Sequence, residues 1–112
     1  MEGSCHCGQI RFSVAVAPIK AIRCNCSYCA RRGWLTGYAN VDEFELLSGK
    51  DVLVSYRFGG RTATNYFCPN CGIHTHFHGT YANRPHYAYS IACLEGIDFE
   101  SLPVEHIDGR SF

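Results

Sequence analysis

The stretch FCPNCG, residues 67–72, decides how this chain is expected to fold. Two residues separate Cys68 from Cys71, and this spacing lets both sulfurs face one point from a tight turn, as in a zinc knuckle. Gly72 can take the positive φ that such turns use. One knuckle supplies two of the four ligands of a closed zinc site, so another part of the chain must supply the rest.

The pair Cys5 and Cys7, in CHC at residues 5–7, can supply the two missing ligands. Cysteines separated by one residue are poor disulfide partners, because the Cα and Cβ geometry of a disulfide is restrictive. They can share a metal where the backbone bends, and Gly3 and Gly8 bracket this pair. Other pairings of the cysteines satisfy the same ligand count, so spacing alone leaves this partition open.

A third group of thiols, Cys24, Cys26 and Cys29, lies in CNCSYC at residues 24–29. Three protein ligands with one open position are typical of a catalytic zinc, whose open position holds water or a substrate atom. A metal in such a site acts as a Lewis acid, and a substrate thiol bound there is held as thiolate. These three cysteines, called the trio below, therefore indicate a zinc-dependent reaction.

Two alternatives to an open catalytic site stay available from the residues alone. A fourth protein ligand could close the trio, and the candidates are His6, His74 and Cys93. Closed sites of three cysteines plus a histidine, or of four cysteines, are common structural zinc sites. Disulfides are the other alternative, and they are disfavoured in a chain whose thiols are expected to stay reduced.

The composition limits the class of protein. The length of 112 residues suggests one domain over residues 1–112, and 46% hydrophobic with 18% charged residues fits an ordinary globular protein. Eight cysteines and six histidines are many for this size. Such a count is typical of small domains stapled by disulfides or by metal.

Charge and hydropathy argue against several kinds of partner. Lys and Arg together number 10, as do Asp and Glu, so the sequence lacks the basic excess of a nucleic-acid-binding protein. The sequence shows no charged-then-apolar leader and no apolar run of about 18 residues. We therefore expect no nucleic acid partner, no membrane and a cytoplasmic location. The oligomeric state is left open by the sequence.

The residue patterns predict a mainly β fold, in which short antiparallel strands are joined by cysteine-bearing turns. Alternation over 9–16 places Ile10, Phe12, Val14 and Val16 on one face of a half-buried strand. Further strands are expected at 19–23, 35–41, 52–58, 61–67, 73–78 and 87–93.

The connections between these strands carry their own signals. Ser27 to Gly33 could close one helical turn, with Ser27 as its N-cap and Gly33 as its stop. The dipeptide Gly59-Gly60 favours a hairpin turn. We expect a helical turn or tight loop at 42–47, a polar loop at 80–85, and no clear periodicity over 95–112.

The motifs GSCHCG (3–8), CNCSYC (24–29) and FCPNCG (67–72) together resemble the family of glutathione-dependent formaldehyde-activating enzymes and centromere protein V. The order C-x-C, C-x-C-x-x-C, C-x-x-C-G is highly specific, and the resemblance runs over almost the whole chain. It implies a β-rich fold of the β-tent type, which other small zinc proteins share.

The resemblance also assigns ligands and an activity. The ligands of a structural zinc would be Cys5, Cys7, Cys68 and Cys71. The ligands of a second, catalytic zinc, which could be labile, would be Cys24, Cys26 and Cys29. The family's named activity adds glutathione to formaldehyde and gives S-hydroxymethylglutathione, formally a carbon–sulfur lyase reaction run in reverse. The implied cofactors are two zinc ions, and the implied partner is a small-molecule thiol such as glutathione.

Four histidines lie within or shortly after the cysteine motifs and are candidates for a role at a metal site. His74, His76 and His78 alternate along one predicted strand and would share a face. His74 closely follows the knuckle, so it is the best candidate for orienting a ligand or donating a proton. His76 and His78 are expected on a polar outer face. His6 lies between two ligands and should point away from them.

Cationic and aromatic residues cluster next to the trio. Arg31 and Arg32 could lower a thiol pKa or pair with a substrate carboxylate, or they could lie on a solvated turn. Tyr28, Trp34 and Tyr38 could line a pocket, although core packing is the commoner role of such rings.

The leading hypothesis is a zinc-dependent carbon–sulfur lyase, in which the trio's zinc binds a thiolate or polarises a small carbonyl. One alternative is a zinc-scaffolded binding module without a reaction, because no general base is anchored by the sequence. The other is a thiol oxidoreductase using Cys93, which ends an apolar strand. A cysteine in that position is more commonly a small buried hydrophobe.

Overall fold

Short strands dominate the structure, a computed structural model that describes residues 1–58, 63–81 and 83–111. Its strands are β1 (Glu2–Ser4), β2 (Arg11–Val14), β3 (Ala21–Cys24), β4 (Thr36–Asn40), β5 (Phe44–Ser48), β6 (Val54–Tyr56), β7 (Thr64–Phe67), β8 (His74–Tyr81), β9 (Arg84–Ser90) and β10 (Val104–Ile107). One α-helix, α1, covers Ser27–Arg32, and short 3-10 helices cover Ile91–Cys93, Phe99–Ser101 and Gly109–Ser111. The predicted mainly β class is confirmed. No helix within the described ranges is long and apolar enough to cross a membrane.

The strands form two sheets. The smaller sheet has the order β1-β2-β5, and the larger has the order β10-β3-β4-β9-β8-β7-β6. The described pairings are antiparallel except that of β10 with β3, which is parallel and sets Ile107 opposite Cys24. The expectation of antiparallel strands is therefore wrong at this one edge, because the chain's last strand returns alongside the strand that leads into the trio.

The main core holds apolar side chains from both sheets. Phe12 of β2 and Phe44 of β5 stack with ring centroids 5.3 Å apart, and Tyr89 of β9 lies 6.1 Å from Phe12. Ala21, Ile91 and other buried residues complete this cluster. Large rings bury much apolar surface and so contribute strongly to stability. The packing in this core is therefore the main contact that holds the two sheets together.

A smaller core surrounds two of the predicted metal ligands. Cys5, Ile10 and Cys68 are buried together, with Leu46 and Val52 packed against them. Cys5 lies between β1 and β2 of the smaller sheet, whereas Cys68 follows β7 of the larger one. This cluster is therefore a second connection between the two sheets.

Several predicted elements differ from the observed ones. Residues 42–47, expected as a helical turn or loop, instead contribute most of β5, because Phe44 pairs with Val14 and packs in the core. The strand predicted over 9–16 is shorter, and Val16 lies beyond its end with 60% of its surface exposed.

The loop predicted at 80–85 is also wrong. Strand β8 continues to Tyr81 and strand β9 begins at Arg84. The Cα atoms of these two residues pair across a tight hairpin. Asn83 supplies the positive φ, 64°, that this turn needs. The tail, which showed no periodicity, contains β10. The predicted Gly59-Gly60 turn, together with 61–62 of the return strand, lies outside the described residues.

Candidate metal centres

Four cysteine sulfurs, those of Cys5, Cys7, Cys68 and Cys71, lie within 4.8 Å of one another. The Sγ atoms of Cys5 and Cys7 are 3.7 Å apart, and those of Cys7 and Cys68 are 3.6 Å apart. Tetrahedral zinc with bonds of about 2.3 Å to sulfur places its ligand atoms about 3.8 Å apart. The spacing and softness of these four donors therefore fit zinc.

Two tight turns build this first cluster. The N–H of Cys5 donates to the carbonyl of Ile10, and the N–H of Ile10 donates back to Cys5 Sγ at 3.3 Å. In the knuckle, the N–H of Cys71 donates to Cys68 Sγ at 3.5 Å, and Gly72 has the positive φ, 76°, that its motif predicts. Burial raises the pKa of the Cys5 thiol to about 11, and the hydrogen bond from the Ile10 N–H opposes this shift.

The trio forms a second cluster, in which the sulfurs of Cys24, Cys26 and Cys29 also lie within 4.8 Å of one another. Within the described residues, no fourth cysteine, histidine, aspartate or glutamate belongs to this group. His6, His74 and Cys93, the candidates for closing it, thus lie outside both clusters. Three soft donors that leave one coordination position to a further ligand fit zinc.

Helix α1 positions the trio. Cys24 ends β3, and Cys26 is the N-cap of α1, because its Sγ accepts a hydrogen bond from the N–H of Cys29 at 3.3 Å. The cap predicted at Ser27 is therefore wrong by one residue, and the stop predicted at Gly33 is confirmed by its left-handed φ of 61°. Burial raises the pKa of the Cys26 thiol, but hydrogen bonds from Cys29 and other neighbours outweigh it and lower the pKa.

The tail of the chain covers one side of the trio. Gly109 is buried, and a Cβ at this position would collide with Cys24 Sγ and lie 3.2 Å from Cys26 Cβ. The parallel pairing of β10 with β3 delivers this glycine to the site. Sequence reasoning missed Gly109, because no motif in the tail signals that it returns to a cysteine cluster.

Asn25, inside the CNCSYC motif, holds this tail in place. Its side-chain amide donates to Asp108 Oδ1 at 3.0 Å, and its Oδ1 accepts from the N–H of Arg110 at 3.1 Å. The guanidinium Nε of Arg110 donates to the Asn25 carbonyl at 2.7 Å. A residue between two candidate ligands therefore anchors the segment that covers them.

Arg32 lies against the trio, whereas its neighbour Arg31 does not. The guanidinium carbon of Arg32 sits 4.3 Å from the ring centre of Tyr28 and 3.7 Å from that of Trp34. Its Nη2 donates to Cys29 Sγ at 3.0 Å. Arg31 is exposed and donates to a backbone carbonyl within α1. The sequence gives Arg31 and Arg32 the same candidate roles, but of the two only Arg32 contacts the trio in the structure.

His74 also belongs to this surrounding of the trio. It and Phe77 both contact the ring of Trp34, whereas His76 and His78 both contact Tyr87 on the other face of β8. The expectation that all three histidines share one face is therefore wrong. The physical reason is an irregularity in the pairing of β7 with β8, which breaks the alternation before His76.

The imidazole of His74 is neutral in this setting. Burial, followed by the nearby Arg32 charge, holds its pKa well below the ordinary value. Its Nε2 lies 2.5 Å from Arg32 Nη1, which donates to it, and 3.3 Å from Asn65 Oδ1. His74 thus supports Arg32 beside the trio, and it does not lie among the ligands of the knuckle as its place in the sequence suggested.

His76 is buried, which contradicts its expected place on a polar outer face. It exposes 2% of its surface and packs among Phe12, Phe44, Tyr66 and Tyr87. Its Nδ1 lies 2.9 Å from the hydroxyl of Thr75. Burial, with a smaller contribution from the His78 charge, lowers its pKa to about 4. The hydrogen bond satisfies one ring nitrogen, so the neutral ring can replace an apolar one here.

The aromatic residues predicted near the trio have different positions. Tyr28 stacks on Tyr56 and Phe58, with both centroid distances 5.4 Å, and Tyr56 is 46% exposed. Trp34 is half-buried against Arg32 and His74. Tyr38 faces Phe77 on the outer side of the sheet. Tyr28 and Trp34 therefore surround Arg32, and the core takes neither of them.

These features define a class of protein: a small, mainly β protein with two cysteine clusters that can hold metal ions. The chain belongs to the family of glutathione-dependent formaldehyde-activating enzymes, whose model matches residues 1–107. The match covers all seven clustered cysteines. The family indicated by the sequence motifs is thus confirmed.

Two relatives support this family. One relative is a Halomonas elongata protein that is provisionally named a glutathione-dependent formaldehyde-activating enzyme. It is 48% identical over 40 residues, which cover 35% of this chain and 26% of that protein. The match therefore spans about a quarter of that relative's length. A crystal structure of a Rhodobacter sphaeroides protein has a TM-score of 0.81 and 35% identity, covering 94% of this chain and 100% of that one.

Proposed function

We propose that this protein is a zinc-dependent carbon–sulfur lyase of the S-(hydroxymethyl)glutathione synthase type. Family membership supports this reaction class, and a glutathione partner follows from the family's name. The observation that carries the proposal is the trio itself, whose three sulfurs converge without a fourth protein donor among the described residues. Such a donor set leaves one coordination position for a thiol or a carbonyl.

The proposed reaction joins glutathione to formaldehyde without any oxidant. The sulfur of the thiol forms a bond to the carbonyl carbon, and the thiol proton moves to the carbonyl oxygen, which becomes a hydroxyl. Bound zinc would supply thiolate stabilisation or carbonyl polarisation. The chain's own part is to hold the ion with Cys24, Cys26 and Cys29 and to keep Arg32 beside Cys29.

The first cluster has a different proposed role. Cys5, Cys7, Cys68 and Cys71 would hold a structural zinc, because they supply four donors and link the two sheets. The whole proposal is one zinc-binding domain over residues 1–112, with two zinc ions, acting in the cytoplasm on a small thiol.

Exchange NMR tests the reaction directly. In a mixture of ¹³C-formaldehyde and glutathione, the wild-type protein should speed the exchange of label between formaldehyde hydrate and the hydroxymethyl adduct. Cys26→Ser removes one of the trio's sulfurs and should abolish this acceleration, with zinc content falling by one ion per chain. Cys93→Ser is the matched control and should behave as wild type, because Cys93 lies in neither cluster. A wild-type protein with both clusters loaded that leaves the exchange rate unchanged would refute the proposal.

Cys93 is better explained by packing than by thiol oxidoreduction. It is half-buried and packs against the main core. Burial raises the pKa of its thiol. A reactive cysteine needs a lowered pKa and access to solvent, so the geometry favours the lyase over the Cys93 alternative. The alternative of a binding module without a reaction is decided by the same exchange experiment.

A further inference from the structure

Arg32 is a partly buried cation that forms no ion pair with a carboxylate of the described residues. Burying a charge is costly unless it is paired, and carboxylates are the usual partners of arginine. The ion pairs found among the described residues join Arg11 and Lys20 to glutamates, and Arg32 is in none of them. Its Nη2 donates at 3.0 Å to Cys29 Sγ, a group that carries a negative charge as a thiolate.

The surroundings of Arg32 fix the guanidinium in one orientation. Its guanidinium carbon lies over the rings of both Tyr28 and Trp34. Its Nη1 donates to two neutral acceptors, Asn65 Oδ1 at 3.2 Å and His74 Nε2. Its Nε is buried and has no partner within the described residues. Burial raises the pKa of the Cys29 thiol to about 11, whereas the nearby Arg32 charge acts to lower it. A metal ion held by the trio would keep Cys29 as a thiolate, and Arg32 would then have a negative counter-charge at 3.0 Å.

Counting charges shows what this cation can do at the trio. Three thiolates around one divalent ion carry one net negative charge, and an entering thiolate adds a second. Repulsion between the entering anion and the three thiolates would weaken its binding. Arg32 offsets one of these charges at the sulfur of Cys29. A neutral ligand in the same position would gain little from this offset.

We propose that Arg32 is a positioning residue that acts through Cys29 and makes the trio's open position select an anionic thiolate over a neutral ligand. This inference rests on the proposed function, because it requires an ion held by Cys24, Cys26 and Cys29. It adds to that function the charge of the ligand that the site favours and the residue responsible.

The test uses cobalt in place of zinc, because the d–d bands of cobalt change when any new ligand binds and its sulfur-to-cobalt bands report an added thiolate. The loaded protein is titrated at fixed pH with glutathione, with 2-mercaptoethanol and with imidazole, for wild type, Arg32→Gln and Arg31→Gln. Arg32→Gln should bind both thiols about ten- to a hundredfold more weakly, because it lacks the positive charge that offsets the entering anion, and it should bind imidazole as wild type does. Arg31→Gln removes an adjacent exposed cation and should leave the three affinities as in wild type.

A second variant guards against a folding defect in Arg32→Gln. Arg32→Lys keeps the charge, so it should retain most of the thiol affinity even though lysine cannot stack on both rings in the same way. Equal thiol affinities in wild type, Arg32→Gln and Arg32→Lys would overturn the inference and leave the proposed function standing.

The remaining outcomes also decide the matter. Loss of glutathione binding alone, with 2-mercaptoethanol unaffected, would mean that Arg32 grips a substrate carboxylate, and it would overturn the inference. An equal loss for imidazole and both thiols would reveal a merely structural role, with the same consequence. A wild-type spectrum that responds to neither thiol would refute the proposed function, and this inference with it.

Discussion

His76 illustrates how one buried side chain couples this fold to pH. Its ring stacks on Tyr66 at 4.9 Å and lies 5.0 Å from Phe44, so its protonated form would place a charge inside an aromatic core. Burial lowers its pKa to about 4, against about 6.5 in an unfolded chain. The unfolded state therefore binds a proton first as the pH falls.

This difference predicts an acid-sensitive stability. The contribution of neutral His76 is fully present above the unfolded pKa and is lost as the pH falls towards the folded one. Between about pH 7 and about pH 5, the free energy of unfolding should fall by about 2 kcal/mol through this residue. Urea unfolding at both pH values measures the change, and His76→Gln, which cannot titrate, should lack this part of it.

A control is needed because acid would also protonate the clustered cysteines and release any metal that they hold. Every variant shares that effect, so the difference between wild type and His76→Gln isolates the buried imidazole. His106→Gln, which removes an exposed imidazole on β10, should keep the wild-type pH dependence. Equal losses in wild type and His76→Gln would show that the ring is not the source of the acid sensitivity.

Strand β10 shows at the scale of one element what local patterns can and cannot reveal. Three of its four residues are exposed, so the strand has no buried face to impose an alternation on its sequence. Strand β2 was predictable because Phe12 and Val14 are buried on one face. In β5 only Phe44 is fully buried, and such a short apolar run does not distinguish a strand from a helical turn.

The 3-10 helix that follows β10 gives a sharp prediction. Gly109→Ala places a methyl group against Cys24 Sγ, so one of the two must move. We expect the variant to keep its sheets and the metal of the first cluster but to lose metal from the trio. Metal content per chain, with circular dichroism as the check on folding, measures this, and about half of the wild-type content should remain.

Ser111→Ala is the matched control in the same helix. It removes a hydroxyl that donates to Asp108 Oδ2 and adds no atom near the trio. Its metal content should equal that of wild type. If Gly109→Ala also retains the full metal content, the tail does not constrain the trio.

Some parts of the candidate site could be predicted from the sequence, and others depend on the fold of the whole molecule. Both cysteine clusters were predictable, because cysteine is a preferred zinc ligand and the ligand spacing within each motif is local. Arg32 was visible as a candidate since it follows the trio in sequence. The approach of His74 to Arg32, 42 residues away, and of Gly109 to Cys24 depends on sheet order, which no local pattern records.

The two clusters should contribute differently to the stability of the whole fold. The first cluster connects the smaller sheet, through Cys5, to the larger sheet, through Cys68. Metal binding at such a site is folding free energy, so Cys68→Ser should abolish cooperative thermal unfolding. The trio lies at one end of the larger sheet, and Cys26→Ser should lower the melting temperature far less. Scanning calorimetry of both variants beside wild type makes this comparison.

Cys93→Ser serves as the baseline, because it tests a serine in place of a half-buried cysteine that lies in neither cluster. It should unfold cooperatively, with a small loss of stability from packing. Similar melting behaviour in Cys68→Ser and Cys26→Ser would contradict the proposed division into a structural and a catalytic cluster.

The parallel pairing of β3 with β10 sets an order of events for a chain emerging from the ribosome. The hydrogen bond from Asn25 to Asp108 spans 83 residues, so it forms only after residue 108 has been translated. The first cluster is complete in the nascent chain once Cys71 has emerged. Cys24, Cys26 and Cys29 are synthesised earlier but stay uncovered until the tail arrives. The four cysteines of the first cluster can therefore come together before the tail covers the trio.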